Sequence, residues 1–399
     1  MKKLLLSSSA ITIVVMGLNF IFKIFLSYKI SKDEIGVFYT FMDMISIGIM
    51  FFSGFKDALV RAYDKENFEV IRYWYIMTFW LIFGFVLIVE IVYFKISSFS
   101  YSIFYLLILL FFNALMVFLS YLNASYKNYK IMLFENLVMS SGLIGSFFIL
   151  TLFFSNIYAL IFAFLGSFVS RILYLYFNFP EKLLFKKYKF DYSVKSFLKD
   201  TTLSSLMYFF SGLFVGASGL IILNLFNDKT VLSEYQVVVR SIFFSLVAVF
   251  VFPLNTFTFP QISKLISSKM YEEIKRIEKK LLVYLSLFIV ILLVGTLFTK
   301  YIIAFVFPSS YAQSYVMLNI LLPFLPLLAY TTFAINIIKA FDRFDLALYV
   351  RLFGAVLSFL SIYIFYLLKF DASSVVYSLD LSFIGMFLLS YYYKRGLLS

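Results

Sequence analysis

The sequence predicts an all-α polytopic membrane protein, with about twelve transmembrane helices in two pseudo-symmetric six-helix bundles. Three observations carry this. Of 399 residues, 63% are hydrophobic and only 14% charged, too little polar surface for a soluble globule. Strongly apolar runs recur about twelve times, each near the ~20 helical residues that cross a ~30 Å hydrocarbon core. The loops between them alternate between lysine-rich and charge-poor, the pattern of successive membrane crossings.

The spans are placed near 7–28, 36–55, 74–94, 103–124, 131–154, 157–178, 201–225, 236–256, 281–299, 314–338, 346–368 and 374–393. Backbone groups in lipid must be bonded internally, which leaves helices or a closed barrel. Continuous runs such as Ile289-Val290-Ile291-Leu292-Leu293-Val294 lack the alternation of barrel strands, so the spans are helices. The first span follows Met1-Lys2-Lys3 and stays apolar to Phe25 with no small-x-small cleavage site. It reads as an uncleaved span rather than a signal peptide. Gly212-x-x-x-Gly216, extended by Gly219, marks close helix packing in span seven. Pro253 and Pro260 in or after span eight, and Pro323 and Pro326 in span ten, kink their helices, as hinges or as static bends. Segment 262–280 puts Ile262, Leu265, Ile266, Met270, Ile274, Ile277 and Leu281 on one helical face. It is an interfacial amphipathic helix or an extension of the ninth span.

Of the 34 lysines and arginines, 24 fall on one set of loops, with both termini, and six on the other; four lie inside spans. By the positive-inside rule both termini are cytoplasmic, and so is the lysine-rich stretch 179–199. The net charge of +13 is then mainly a topology signal that also suits anionic membrane lipids. No nucleic-acid partner is expected, because the basic residues sit in short loops at helix ends. Zero cysteines and zero histidines remove thiolate chemistry, the usual general base and the commonest metal ligand, so no cofactor or metal is expected. An enzyme is disfavoured further because the longest outer loop, 300–313, carries a single charge, Lys300.

The chain repeats itself weakly. An offset of 204 pairs Lys65 with Lys269, Glu69 with Glu273 and Arg72 with Arg276. An offset of 215 sets Tyr126-Lys127-Asn128-Tyr129-Lys130-Ile131 against Phe341-Asp342-Arg343-Phe344-Asp345-Leu346, and an offset of 197 sets Gly36-Val37-Phe38 against Ser233-Glu234-Tyr235. The order implies two parallel halves, 1–178 and 201–399, joined by a cytoplasmic linker 179–200, with a substrate site between them.

Several stretches now suggest a family. Lys32-Asp33-Glu34-Ile35-Gly36-Val37-Phe38-Tyr39, running on to Gly54-Phe55-Lys56-Asp57-Ala58-Leu59-Val60-Arg61, resembles the first outer turn and second span of O-antigen and capsular polysaccharide flippases. These belong to the multidrug/oligosaccharidyl-lipid/polysaccharide (MOP) exporter superfamily. Phe259-Pro260-Gln261-Ile262-Ser263 resembles that family's exit from span eight, and Phe305-Val306-Phe307-Pro308-Ser309-Ser310-Tyr311 its approach to span ten, with Pro308 where glycine is usual. Asn224 stands where span seven often carries an aspartate. The resemblance covers essentially the whole chain. It implies a V-shaped pair of bundles, of the kind also found in MATE exporters, that moves a lipid-linked oligosaccharide across a bacterial inner (plasma) membrane. It also implies a coupling cation, Na+ or H+, and polysaccharide polymerase or assembly proteins as partners. A multidrug exporter of the same fold is the alternative.

Charges inside spans cost ~2.5–3.5 kcal/mol each on insertion scales and normally face a cavity or a partner. Lys23, Asp43 and Arg240 all fall in the outer third of their spans, and the offset of 197 pairs Asp43 with Arg240. The resemblance implies that spans one, two, seven and eight line a central cavity. Lys23 and Arg240 would then hold a diphosphate, arginine by its bidentate fork and lysine as a point charge, with Asp43 tuning or gating them. The spacing equally allows a structural Lys23–Asp43 bridge with Arg240 reaching outward. Arg171, in the inner half of span six, is a further candidate to meet phosphate, and Asp380 in span twelve a candidate to take a proton. Glu135 and Arg351 are expected to snorkel to the surface, and Glu90 to be interfacial.

Overall fold

A computed structural model describes residues 2–62, 68–97, 99, 101–126, 129–179 and 192–398. Lys65 of the repeat and most of the expected linker, 180–191, lie outside the described residues. All the regular structure described is helical, in the order α1 (Lys2–Lys29), α2 (Lys32–Met50), α3 (Ser53–Ala62), α4 (Phe68–Ile96), α5 (Ile103–Ser125), α6 (Tyr129–Leu150), α7 (Asn156–Phe177) and α8 (Tyr192–Ile221). There follow α9 (Lys229–Ser233), α10 (Arg240–Ser267), α11 (Tyr271–Thr296), α12 (Thr299–Val306), α13 (Ser314–Leu321), α14 (Leu325–Ala340), α15 (Phe344–Leu367) and α16 (Ser374–Leu398). Widened π-helical turns lead into and out of α9, at Ile222–Phe226 and Glu234–Val239.

Nine spans among the described residues are long and apolar enough to cross a membrane, or up to eleven if each of two bent helix pairs counts as one crossing. The fifth expected span corresponds to α6, a helix of 22 residues. The chain is a multi-pass helical membrane protein.

It divides into two compact units, one of residues 1–22 with 41–212, the other of 23–40 with 213–399. The unit boundary therefore cuts through α1 and α2 and through α8.

The first unit is built on aromatic packing. Tyr75 of α4 stacks on Phe118 of α5 at 5.3 Å, and its hydroxyl donates to the Phe118 carbonyl at 3.0 Å. Phe79 joins them and reaches Phe52 at 4.3 Å. Phe52 sits in the turn where α2 gives way to α3 with a bend of 46°. There the Gly54 N–H donates to Ser205 Oγ of α8 at 3.2 Å, and a Cβ on residue 54 would stand 2.3 Å from the Thr201 carbonyl oxygen. Only glycine admits that approach. Glu135 does not snorkel. It is buried on α6, accepts from Ser120 Oγ of α5 at 3.0 Å, and pairs with Arg171 of α7 at 3.0 Å. Glu90 is not interfacial either: it is buried on α4, with Oε1 against Gly48 of α2. A carboxylate that sequence position assigns to a helix end is drawn inward when a neighbouring helix offers a gap or a cation.

The second unit is centred on α14, buried from Leu325 to Ile338 at nearly every position. Phe243 of α10 stacks on Phe383 of α16 at 5.9 Å, and Ser382 of α16 donates to the Gly354 carbonyl of α15 at 2.7 Å. Pro323 and Pro326 do more than kink span ten. They divide it into α13 and α14 through a tightened turn, Leu322–Phe324. Segment 262–280 is not a single helix: α10 ends at Ser267, Lys269 takes a left-handed backbone conformation (φ 58°), and α11 starts at Tyr271. Residues 271–280 thus extend the ninth span. At that end Glu278 of α11 and Lys394 of α16 form a buried ion pair, and the Tyr330 hydroxyl of α14 donates to the same carboxylate oxygen at 2.5 Å.

Candidate functional site

Within the second unit, the sequence-separated cations Lys23 and Arg240 enter one hydrogen-bonded cluster. Lys23, near the end of α1, donates from Nζ to Ser241 Oγ at 2.9 Å and to the Gln236 main-chain oxygen at 3.4 Å. Its ammonium lies 4.2 Å from the centre of the Tyr39 ring, a cation–π contact. Arg240 opens α10 and donates from Nη1 to the side-chain oxygen of Gln236 at 2.9 Å, with its guanidinium 5.3 Å from the Phe244 ring. Gln236 completes the cluster by donating from Nε2 to Thr40 Oγ1 of α2 at 3.0 Å. Lys23 and Arg240 are both half-buried, whereas Gln236 is 1% exposed.

Local backbone geometry sets this up. The Arg240 N–H bonds the Tyr235 carbonyl, a five-residue step belonging to the π-helical turn Glu234–Val239. Where the chain returns to the four-residue step of α10, one carbonyl is passed over. The carbonyl that receives side-chain donors here is that of Gln236, from Lys23 and from Ser241 Oγ at 3.4 Å.

The start of α2 is fixed beside this turn. Lys32 pairs with Glu234 at 2.7 Å, with side chains only 18% and 8% exposed, and donates to the Ser310 carbonyl at 2.6 Å. Gly36 faces Ser233 so closely that a Cβ would stand 2.2 Å from Ser233 Oγ. These are the two residues that the offset of 197 pairs. Tyr311, outside the spans, has a buried ring beneath Lys32, and burial first, then Asp33 and Glu234, pushes its hydroxyl above the usual tyrosine range.

The other candidates are placed differently. Asp380 is in the second unit, 4% exposed, and its Oδ1 has no hydrogen-bond partner among the described residues. It lies three residues before Phe383, and Arg240 three before Phe243, the two rings that stack. Asp43 is buried and belongs to the first unit. Arg171 also belongs to the first unit, where Glu135 and Ser120 hold it, at 3.0 and 3.3 Å. Arg351 does not simply reach outward: it is half-buried, with Nη1 3.9 Å from Met386 Sδ. Asn224 is exposed and donates to the Leu220 carbonyl at 2.9 Å.

Sequence reasoning missed Gln236, Ser241, Tyr39 and Thr40. Polar residues of ordinary type at span ends carry little signal. The one available clue is that Gln236, Arg240 and Ser241 follow one another within two turns of an otherwise apolar span.

No protein-family model matches the sequence, and no curated protein matches it. Solved structures do. An inward-facing multidrug resistance MATE family transporter of the MOP superfamily superposes with a TM-score of 0.76 at 15% identity, over 96% of this chain and 94% of that one. The lipid II flippase MurJ, in an inward closed conformation, gives 0.74 at 16% identity, over 97% and 87%. A MOP superfamily transporter from Pyrococcus furiosus gives 0.67 at 17% identity, over 100% and 96%. At such identities the likeness shows the fold, and the fold is that of MOP superfamily transporters.

Proposed function

We propose that this chain is a transporter of the bacterial inner membrane that flips a lipid-linked oligosaccharide, carried on a polyprenyl diphosphate, from the cytoplasmic to the outer leaflet by alternating access. The observation that carries this is the Lys23–Ser241–Gln236–Arg240 cluster: two half-buried cations, from helices more than 200 residues apart, are held in one hydrogen-bonded group. A diphosphate must be shielded while it crosses a medium of low dielectric, and fixed cations do this better than neutral groups. The lipid II flippase among the structural neighbours supports a lipid-linked cargo. The MATE neighbours favour the second reading, a multidrug exporter, but a cationic cluster suits an anionic cargo better than cationic drugs. The role is transport and not catalysis. Asp380, with an unpartnered buried oxygen in the unit that also holds Arg240, is the coupling group we assign for a proton or Na+, and Asp43 a gating group. Arg171 contributes to binding only if its pair with Glu135 opens. Surface-polysaccharide polymerase or assembly proteins are the expected partners, and both termini are cytoplasmic.

The test uses cells whose surface glycan depends on this chain. Lys23→Ala and Arg240→Ala abolish surface glycan at near-normal protein abundance, and Arg240→Lys keeps part of it, because charge survives without the bidentate fork. Full export by a well-expressed double alanine variant overturns the proposal.

A further inference from the structure

We infer that Gln236 is the positioning residue of the cation cluster: through its amide it aims Arg240, through its carbonyl Lys23, and so makes the two bind one diphosphate-type anion together. The inference rests on the anion-binding reading above and extends it to a neutral residue.

The chemistry of the hydrogen-bond chain fixes which way the amide points. Thr40 Oγ1 donates its proton to the Gly36 carbonyl at 3.0 Å, so it meets residue 236 as an acceptor. Only the Nε2 end of Gln236 can donate to it, which turns Oε1 toward Arg240 Nη1. The guanidinium is thereby tied to a rigid acceptor. Thr40 is fully buried, Gln236 nearly so, and Gly219 leaves the space the amide occupies, since a Cβ there would stand 2.0 Å from Nε2.

The main chain of the same residue does the second half. The carbonyl passed over by the change from π to α register receives Lys23 Nζ and Ser241 Oγ. One residue therefore touches both cations, from its two polar ends, without adding charge. A glutamate would accept from Arg240 equally well. It would face Thr40 with a second oxygen and neutralise the cation, so charge balance and hydrogen-bond polarity both select glutamine.

The experiment measures binding of farnesyl diphosphate to the purified full-length chain in detergent by calorimetry, with uncharged farnesol as control. Wild type binds the diphosphate and not the alcohol, and Lys23→Ala and Arg240→Ala weaken it. Gln236→Leu, which keeps both cations, weakens binding roughly tenfold, the worth of a hydrogen bond to a charged group. Gln236→Leu adds little further loss on top of Arg240→Ala, because it acts through that side chain. Thr40→Val, isosteric and leaving both cations and Gln236 in place, reproduces the loss in part and serves if Gln236→Leu does not fold. Inorganic pyrophosphate in place of farnesyl diphosphate shows the same ranking if the head group alone is recognised. If the cation variants lose binding while Gln236→Leu and Thr40→Val bind like wild type, or if Gln236→Leu and Arg240→Ala are additive, the positioning role is overturned. If wild type binds neither probe, or the cation variants bind normally, the anion-site reading itself fails.

Discussion

Lys394 reads in the sequence as a lysine of the terminal segment but is buried in the fold, and breaking its ion pair is a sharp test of the second unit. In Lys394→Met the partner Glu278, with a side chain 11% exposed, keeps its carboxylate in a site from which the compensating ammonium has gone. Removing one partner of a buried pair costs about 3–5 kcal/mol, and the low exposure of both side chains (5% and 11%) rules out discounting for solvent screening. Glu278→Leu leaves Lys394 buried and unpaired, with a similar cost. In the double variant no charge remains. Tyr330, 1% exposed, then loses the acceptor of its hydroxyl, which leaves about 1–3 kcal/mol of the damage. The two substitutions should therefore be strongly non-additive, with a coupling above about 3 kcal/mol. Denaturant unfolding of the purified protein at fixed detergent concentration measures the cycle. Additivity within about 0.5 kcal/mol, or single variants as stable as wild type, would refute the argument that these helices are locked by a buried charge pair.

Gly36→Val places methyl groups where even a Cβ would lie 2.2 Å from Ser233 Oγ. It should displace the start of α2 and lower thermal stability by about 1–3 kcal/mol, as overpacking does. Ser233→Ala removes the hydroxyl's hydrogen bond to the Lys229 carbonyl at 2.8 Å and should cost about 0.5–1.5 kcal/mol; a stable Gly36→Val would show that the α2 contact is loose. For topology, single cysteines are clean because the chain has none. Lys369→Cys should react with an impermeant thiol reagent in intact cells, and Lys195→Cys only after permeabilisation. The reverse pattern would invert the membrane orientation.

The membrane class, the helical content and the approximate positions of the spans were legible without coordinates. They depend on properties summed over ~20 residues, namely apolar length and the placement of lysines, and neighbours in space hardly change such sums. Lys23, Arg240 and Asp380 stood out as candidates for a related reason: a charge in an apolar run is costly wherever the run packs. Their partners were not. Lys23 and Ser241 are 218 positions apart, and no local rule brings them to 2.9 Å. Nor does any residue pattern announce the π-helical turn that turns the Gln236 carbonyl to side-chain donors, because a one-residue change of helical register is decided by what packs against it. Arg171 and Lys394 make the same point in reverse. On paper Arg171 is a candidate ligand within a span and Lys394 a surface lysine beyond one, yet Glu135 and Glu278 on neighbouring helices make each half of a buried pair. Cost is a property of the residue and its span. The means of meeting it belong to whichever helices come to lie alongside.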